Sequence, residues 1–134
     1  MGQAKVRWVG NHTFIGTDST NHAVLLSSPK ENIGMKASEL LLVSLATCSS
    51  YDVVGILEKR KVTLRKLEVE VTAEQEKDPP WTFTDIHLKY ILAGDGLEPR
   101  HAETAIRLSE EKYCSVAATL KGKARITWEY VIEE

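Results

Sequence analysis

Apolar and polar residues alternate along three stretches near the start of the chain. Ala4, Val6 and Trp8 are interleaved with Lys5 and Arg7, and a Gly10-Asn11 turn signal follows. Thr13 to Thr17 and His22 to Ser27 read as two more short strands, parted by Asp18-Ser19-Thr20-Asn21. After a polar loop with Pro29, Asn32 and Gly34, the period changes. From Ala37 to Lys61 the spacing predicts a helix, nearly all apolar at first and basic at its end, with Glu39 and Lys59 placed to suit its dipole. Strict alternation returns at Leu67, Val69, Val71 and Ala73, and again at Ile86, Leu88, Tyr90 and Leu92, as two paired strands with one wet and one dry face. Pro99 opens a second helix whose face is marked by Ala102, Ala105, Ile106 and Ser109. Ser115 to Leu120 reads as a further helical turn, and Ala124 to Ile132 as a closing strand. The order βββ-α-ββ-α(α)-β predicts an α+β fold of largely antiparallel sheets around a long central apolar helix, in one domain spanning 1–134.

Composition narrows the function. With 134 residues, 43% hydrophobic and 27% charged, the chain can bury a core without disulfide staples. Seventeen basic against nineteen acidic residues leave a charge of −2 and no basic stripe, which argues against nucleic-acid binding. The nearly apolar run Leu40 to Cys48 is short of a membrane span, and the first residues have no signal-peptide pattern. The expectation is a cytoplasmic protein, neither membrane-bound nor nucleic-acid-binding, whose Cys48 and Cys114 rest as thiols.

Chemistry concentrates on the long helix. Amid Leu40, Leu41, Leu42, Val43 and Leu45, the small or polar residues Ser44, Thr47, Cys48 and Tyr51 share one face by their offsets of three and four. A helix this apolar is expected to be buried nearly all round. The polar face then lines a cavity or an interface; the alternative is that small side chains permit close packing, with Cys48 as a small hydrophobe. Two intracellular cysteines beside helices also fit an attacking thiol and its resolving partner. Cys48 lies too deep in its helix to feel the helix N-terminus, so a cation or hydrogen-bond donor from elsewhere has to lower its pKa. Candidates are an arginine brought in across a dimer, His12 and Tyr51. The histidines His12, His22, His87 and His101 are scattered, His87 reads as solvated, and no metal site or cofactor motif is expected.

The segments Ala37-Ser38-Glu39-Leu40, Ala46-Thr47-Cys48 and Glu111-Lys112-Tyr113-Cys114-Ser115-Val116 resemble the OsmC/Ohr family (osmotically inducible protein C, organic hydroperoxide resistance), in its divergent OsmC-like branch often called simply "redox protein". The resemblance implies an intertwined homodimer acting in oxidative-stress defence. It implies a thiol peroxidase in which Cys48 attacks an organic hydroperoxide and Cys114 forms the disulfide, with a lipoylated or thioredoxin-like dithiol as reductant. The family's glutamate ten positions before the first cysteine is Ser38 here, with Glu39 next to it. Its arginine position falls at Asn11 and His12. The alternative is a catalytically weak stress-response module, or one that binds a small apolar ligand.

Overall fold

The computed structural model describes residues 2–134; Met1, the first residue of the segment in which no signal-peptide pattern was expected, lies outside the described residues. The elements follow the expected order. They are β1 (Ala4–Trp8), β2 (Thr13–Asp18), β3 (Ala23–Ser27), α1 (Ala37–Lys59), β4 (Thr63–Gln75), β5 (Phe83–Asp95), α2 (Pro99–Leu108), a π turn (Ser109–Tyr113), α3 (Ser115–Leu120) and β6 (Arg125–Ile132). The backbone packs as two compact units, residues 1–42 and 43–134.

In the first unit β1, β2 and β3 form an antiparallel meander, with Trp8 opposite Phe14 and Ile15 opposite Leu25. Every residue of β1 is exposed, including Val6 at 64% and Trp8 at 66%. The buried Ser27 hydroxyl accepts the Gly34 amide at 2.9 Å and pins the loop that leads toward α1.

In the second unit the sheet order is β4-β5-β6. The β4–β5 pair is antiparallel, with Val69 opposite Tyr90 and Val71 opposite Leu88. Both strands outrun the apolar repeat that revealed them, because their polar ends still complete the hydrogen-bond ladder. β6 runs parallel to β5, which requires the long crossover that α2, the π turn and α3 supply. As the central strand, β5 carries the period-2 pattern furthest: Ile86, Leu88, Tyr90 and Leu92 are all fully buried. Gly94 permits the close approach of β4, since a Cβ there would stand 2.7 Å from the Thr63 carbonyl oxygen.

Two expectations about α1 need correction. The helix ends at Lys59, two residues early, because Lys61 takes a left-handed φ of 60° and the Val62 amide turns back to the Leu57 carbonyl at 3.1 Å. It is also not buried all round. Leu45, Ser49, Val53 and Leu57, spaced four apart, form its buried stripe, while Val43 and Tyr51 are exposed at 45% and 81%. At 23 residues α1 is, by length and composition, the one helix among the described residues long and apolar enough to cross a membrane. The nine-residue run understated it. Its buried stripe, however, carries Ser49 in a polar network with β5 and the π turn, which is how a core helix is used.

Candidate functional site

The second unit brings Cys48 and Cys114 together. Cys48 is half-buried in the middle of α1; Cys114, 2% exposed, caps the N-terminus of α3, where its Sγ accepts the Ala117 amide at 3.3 Å. Cys114 has an extended backbone, because the chain leaves the π turn there with its amide donating to the Ser109 carbonyl at 2.8 Å. Both cysteines are free thiols, and each influences the acidity of the other.

Their acidities are driven apart. Burial pushes the Cys48 thiol up, but hydrogen bonds from the Val116 amide, the Cys114 thiol, and the hydroxyl and amide of Ser115 outweigh it and leave Cys48 below its ordinary value. The Ser115 hydroxyl oxygen lies 3.9 Å from the Cys48 sulfur. Burial above all pushes the Cys114 thiol up to about 12, and the negative charges of Cys48 and Glu110 add to that. The lowering of Cys48 thus comes from hydrogen-bond donors at the start of α3. These are the donor half of what the sequence required.

His12, in the first unit, is exposed, with Nδ1 3.8 Å from Glu31 Oε1. Glu39 stands in the first turn of α1, its carboxylate 3.9 Å from Lys36 Nζ. Tyr51 lies one turn beyond Cys48 and lines an open groove of about 920 Å³ together with Thr47, Val54, Ile56, Leu108 and Tyr113. Thr47 itself donates to the Val43 carbonyl at 2.7 Å, a bond within its own helix. His87, read as merely solvated, is held between Thr127 and Glu129 of β6 at 2.7 and 2.6 Å. Among the described residues no three His, Cys, Asp or Glu side chains are gathered as for a metal ion.

A buried polar network beside the thiols was not foreseen. Ser49 on α1 bonds to the Tyr90 hydroxyl, which donates to Glu110 Oε1 at 3.0 Å. Ser109 donates to Asp52 Oδ2 at 2.9 Å, with Ser49 Oγ 3.1 Å away. Burial, reinforced by the Glu110 charge, raises the Tyr90 pKa and keeps its hydroxyl protonated as a donor. Tyr90 fits the apolar alternation of β5, so its polar end left no signal there. Ser109 was marked as core-facing, but its partners come from elements 57 and 60 positions away.

The chain is similar to known proteins over nearly its whole length. A family model described as OsmC-like protein matches residues 29–129. Protein YhfA of Escherichia coli K12 is 35% identical over 130 residues, covering 97% of each chain. Among solved structures, a hypothetical protein from Aquifex aeolicus VF5 is 28% identical with a TM-score of 0.85, covering 100% of this chain and 98% of that one. An OsmC like protein from Mycoplasma pneumoniae, at 16% identity, has a TM-score of 0.86 over 100% of this chain and 98% of its own, a likeness of fold.

Proposed function

The chain belongs to the OsmC-like protein family, and from that premise we propose that it is a thiol peroxidase for organic hydroperoxides in oxidative-stress defence. The observation that carries this reading is the pairing of two free thiols with opposite acidity shifts, Cys48 lowered and Cys114 raised to about 12. A nucleophilic thiol needs an accessible anion, which Cys48 has the donors to stabilise; a thiol held back as S–H suits the later, resolving step. The Cys48 thiolate attacks the outer peroxide oxygen, the O–O bond breaks, an alcohol leaves after taking up a proton, and Cys48 becomes a sulfenic acid. Cys114 condenses with it, releasing water and leaving a Cys48–Cys114 disulfide. A lipoylated or thioredoxin-like dithiol then reduces the bond. The groove beside Tyr51, one turn along α1 from Cys48, exposes mostly apolar surface among the charged Asp52, Glu58, Lys59 and Arg60, which supports a preference for organic over hydrogen peroxide.

The working form in this reading is a cytoplasmic homodimer of one 1–134 domain. What supports a dimer is the apolar surface each unit leaves open: Val6, Trp8 and Ile33 in the first, Val43, Tyr51 and Tyr113 in the second. The test is a coupled assay with dihydrolipoamide or reduced thioredoxin. Cumene hydroperoxide is expected to be consumed faster than hydrogen peroxide. No consumption of either with either dithiol would instead favour a module that binds a small apolar ligand.

A further inference from the structure

Ser115 turns a hydroxyl toward the sulfur of Cys48. It is the first residue of α3, directly after Cys114, and its Oγ lies 3.9 Å from the Cys48 Sγ. Among the described residues this is the hydroxyl's one hydrogen-bond contact. Hydroxyls nearby in sequence are committed elsewhere. Thr47, beside Cys48 on α1, donates to the Val43 carbonyl at 2.7 Å, and Thr119 on α3 donates to the Ser115 carbonyl at 2.7 Å. Ser49 is taken up by Tyr90 and Ser109. Ser115 is exposed and Cys48 half-buried, so the contact between them is open to a molecule arriving from solvent. At 3.9 Å the pair is loose even for a bond to sulfur. A triangle on that base closes with two sides of about 3 Å, so one oxygen atom fits beside both the sulfur and the hydroxyl. A reacting oxygen needs that placement, within attack distance of a nucleophile and within reach of a donor.

Resting on the peroxidase reading, with Cys48 as its nucleophile, we propose that Ser115 is a catalytic residue whose hydroxyl donates to the peroxide oxygen that Cys48 attacks. In the free protein the O–H donates to the sulfur, since a thiolate can only accept. With hydroperoxide in place it turns to the oxygen lodged between them. As the thiolate attacks, the S–O bond forms and the O–O bond breaks, its electron pair leaving on the oxygen that carries the organic group. The proton of the attacked O–H passes to that oxygen, so the alcohol departs neutral. The negative charge of the thiolate ends on the oxygen now bound to sulfur, and a proton from solvent completes the sulfenic acid. The sulfur loses two electrons, the peroxide gains them, and one hydroperoxide is consumed. Ser115 donates to the attacked oxygen throughout. Its bond strengthens as charge moves from diffuse sulfur to compact oxygen, so it favours the transition state over the bound peroxide.

The test compares wild type, Ser115→Ala and Ser115→Thr, each treated at one pH with cumene hydroperoxide and, separately, with iodoacetamide. Loss of the free Cys48 thiol is followed by mass spectrometry of its peptide in quenched samples. Both reagents consume the same thiolate, so the ratio of the two rate constants cancels any change in thiolate fraction and reads the donor's effect on oxygen alone. Alanine is the best helix former and position 115 is exposed, so Ser115→Ala keeps α3. In that variant the ratio of oxidation to alkylation is expected to fall about 100-fold, as on losing one preorganised donor. Ser115→Thr, which retains the hydroxyl, should return it to within about tenfold of wild type. An unchanged ratio in Ser115→Ala overturns the proposal, and so does a threonine ratio as low as the alanine one. A wild type alkylated at Cys48 but never oxidised there sinks the peroxidase reading and this proposal together; a wild type that is oxidised, with the same ratio in Ser115→Ala, sinks this proposal alone.

Discussion

At the scale of single residues, the two cysteines differ because their surroundings differ. Cys48 faces donors, and Cys114 is buried with negative neighbours. Cys48→Ser should abolish turnover, since a hydroxyl has no accessible anion at neutral pH. Cys114→Ser should still consume one equivalent of hydroperoxide to give sulfenic acid and, as more is added, a second to give sulfinic acid, each visible by mass spectrometry as an added oxygen. Ser115→Ala removes one donor, so the midpoint of the Cys48 alkylation-rate profile with pH should move upward; an unchanged midpoint would leave the amides and the Cys114 thiol as the cause. Cys114 also links pH to stability. Its folded value, about 12, lies above its ordinary 9.0, so folding favours the protonated thiol. That contribution is whole below the ordinary value and is lost as pH rises toward 12. Urea midpoints measured from pH 8 to 10 should therefore fall, and fall less steeply in Cys114→Ala.

At the scale of elements, local periodicity located nearly every strand and helix, since alternation on β4 and β5 and the apolar density of α1 report burial directly. What lay beyond reach were features set by partners distant in sequence. The π turn is one: Ser109-Glu110-Glu111-Lys112-Tyr113 continues an ordinary helical pattern, and the wide turn shows only in the Cys114-to-Ser109 bond. The end of α1 is another, because a left-handed Lys61 does the work a glycine would have announced. Of the site, the two cysteine contexts were legible, but Ser115, Tyr90 and Glu110 were not, as their roles arise where α1, β5 and the π turn meet. This junction also governs stability. Tyr90→Phe strips Ser49 and Glu110 of a shared partner and should cost about 1–3 kcal/mol in urea unfolding. Leu45→Ala, in the fully buried stripe of α1, should cost about 2–5 kcal/mol by the same measurement.

At the scale of the whole molecule, an unusually apolar α1 with one buried stripe and an exposed β1 leave much apolar surface uncovered in a single chain. The proposed dimer accounts for that surface, and sedimentation at micromolar concentration should give twice the chain mass; a stable monomer would contradict it. Redox function asks less of the assembly than of one junction within it, where a thiol with hydrogen-bond donors meets a protonated thiol. The most direct measurement is mass spectrometry of the reduced wild-type protein after one equivalent of cumene hydroperoxide. The expected result is an intact mass lower by two hydrogens, with a single cross-linked peptide pair joining Cys48 to Cys114 within one chain. Two unmodified thiols, under conditions that oxidise a control thiol peroxidase, would contradict the redox pairing and leave both cysteines as packing residues.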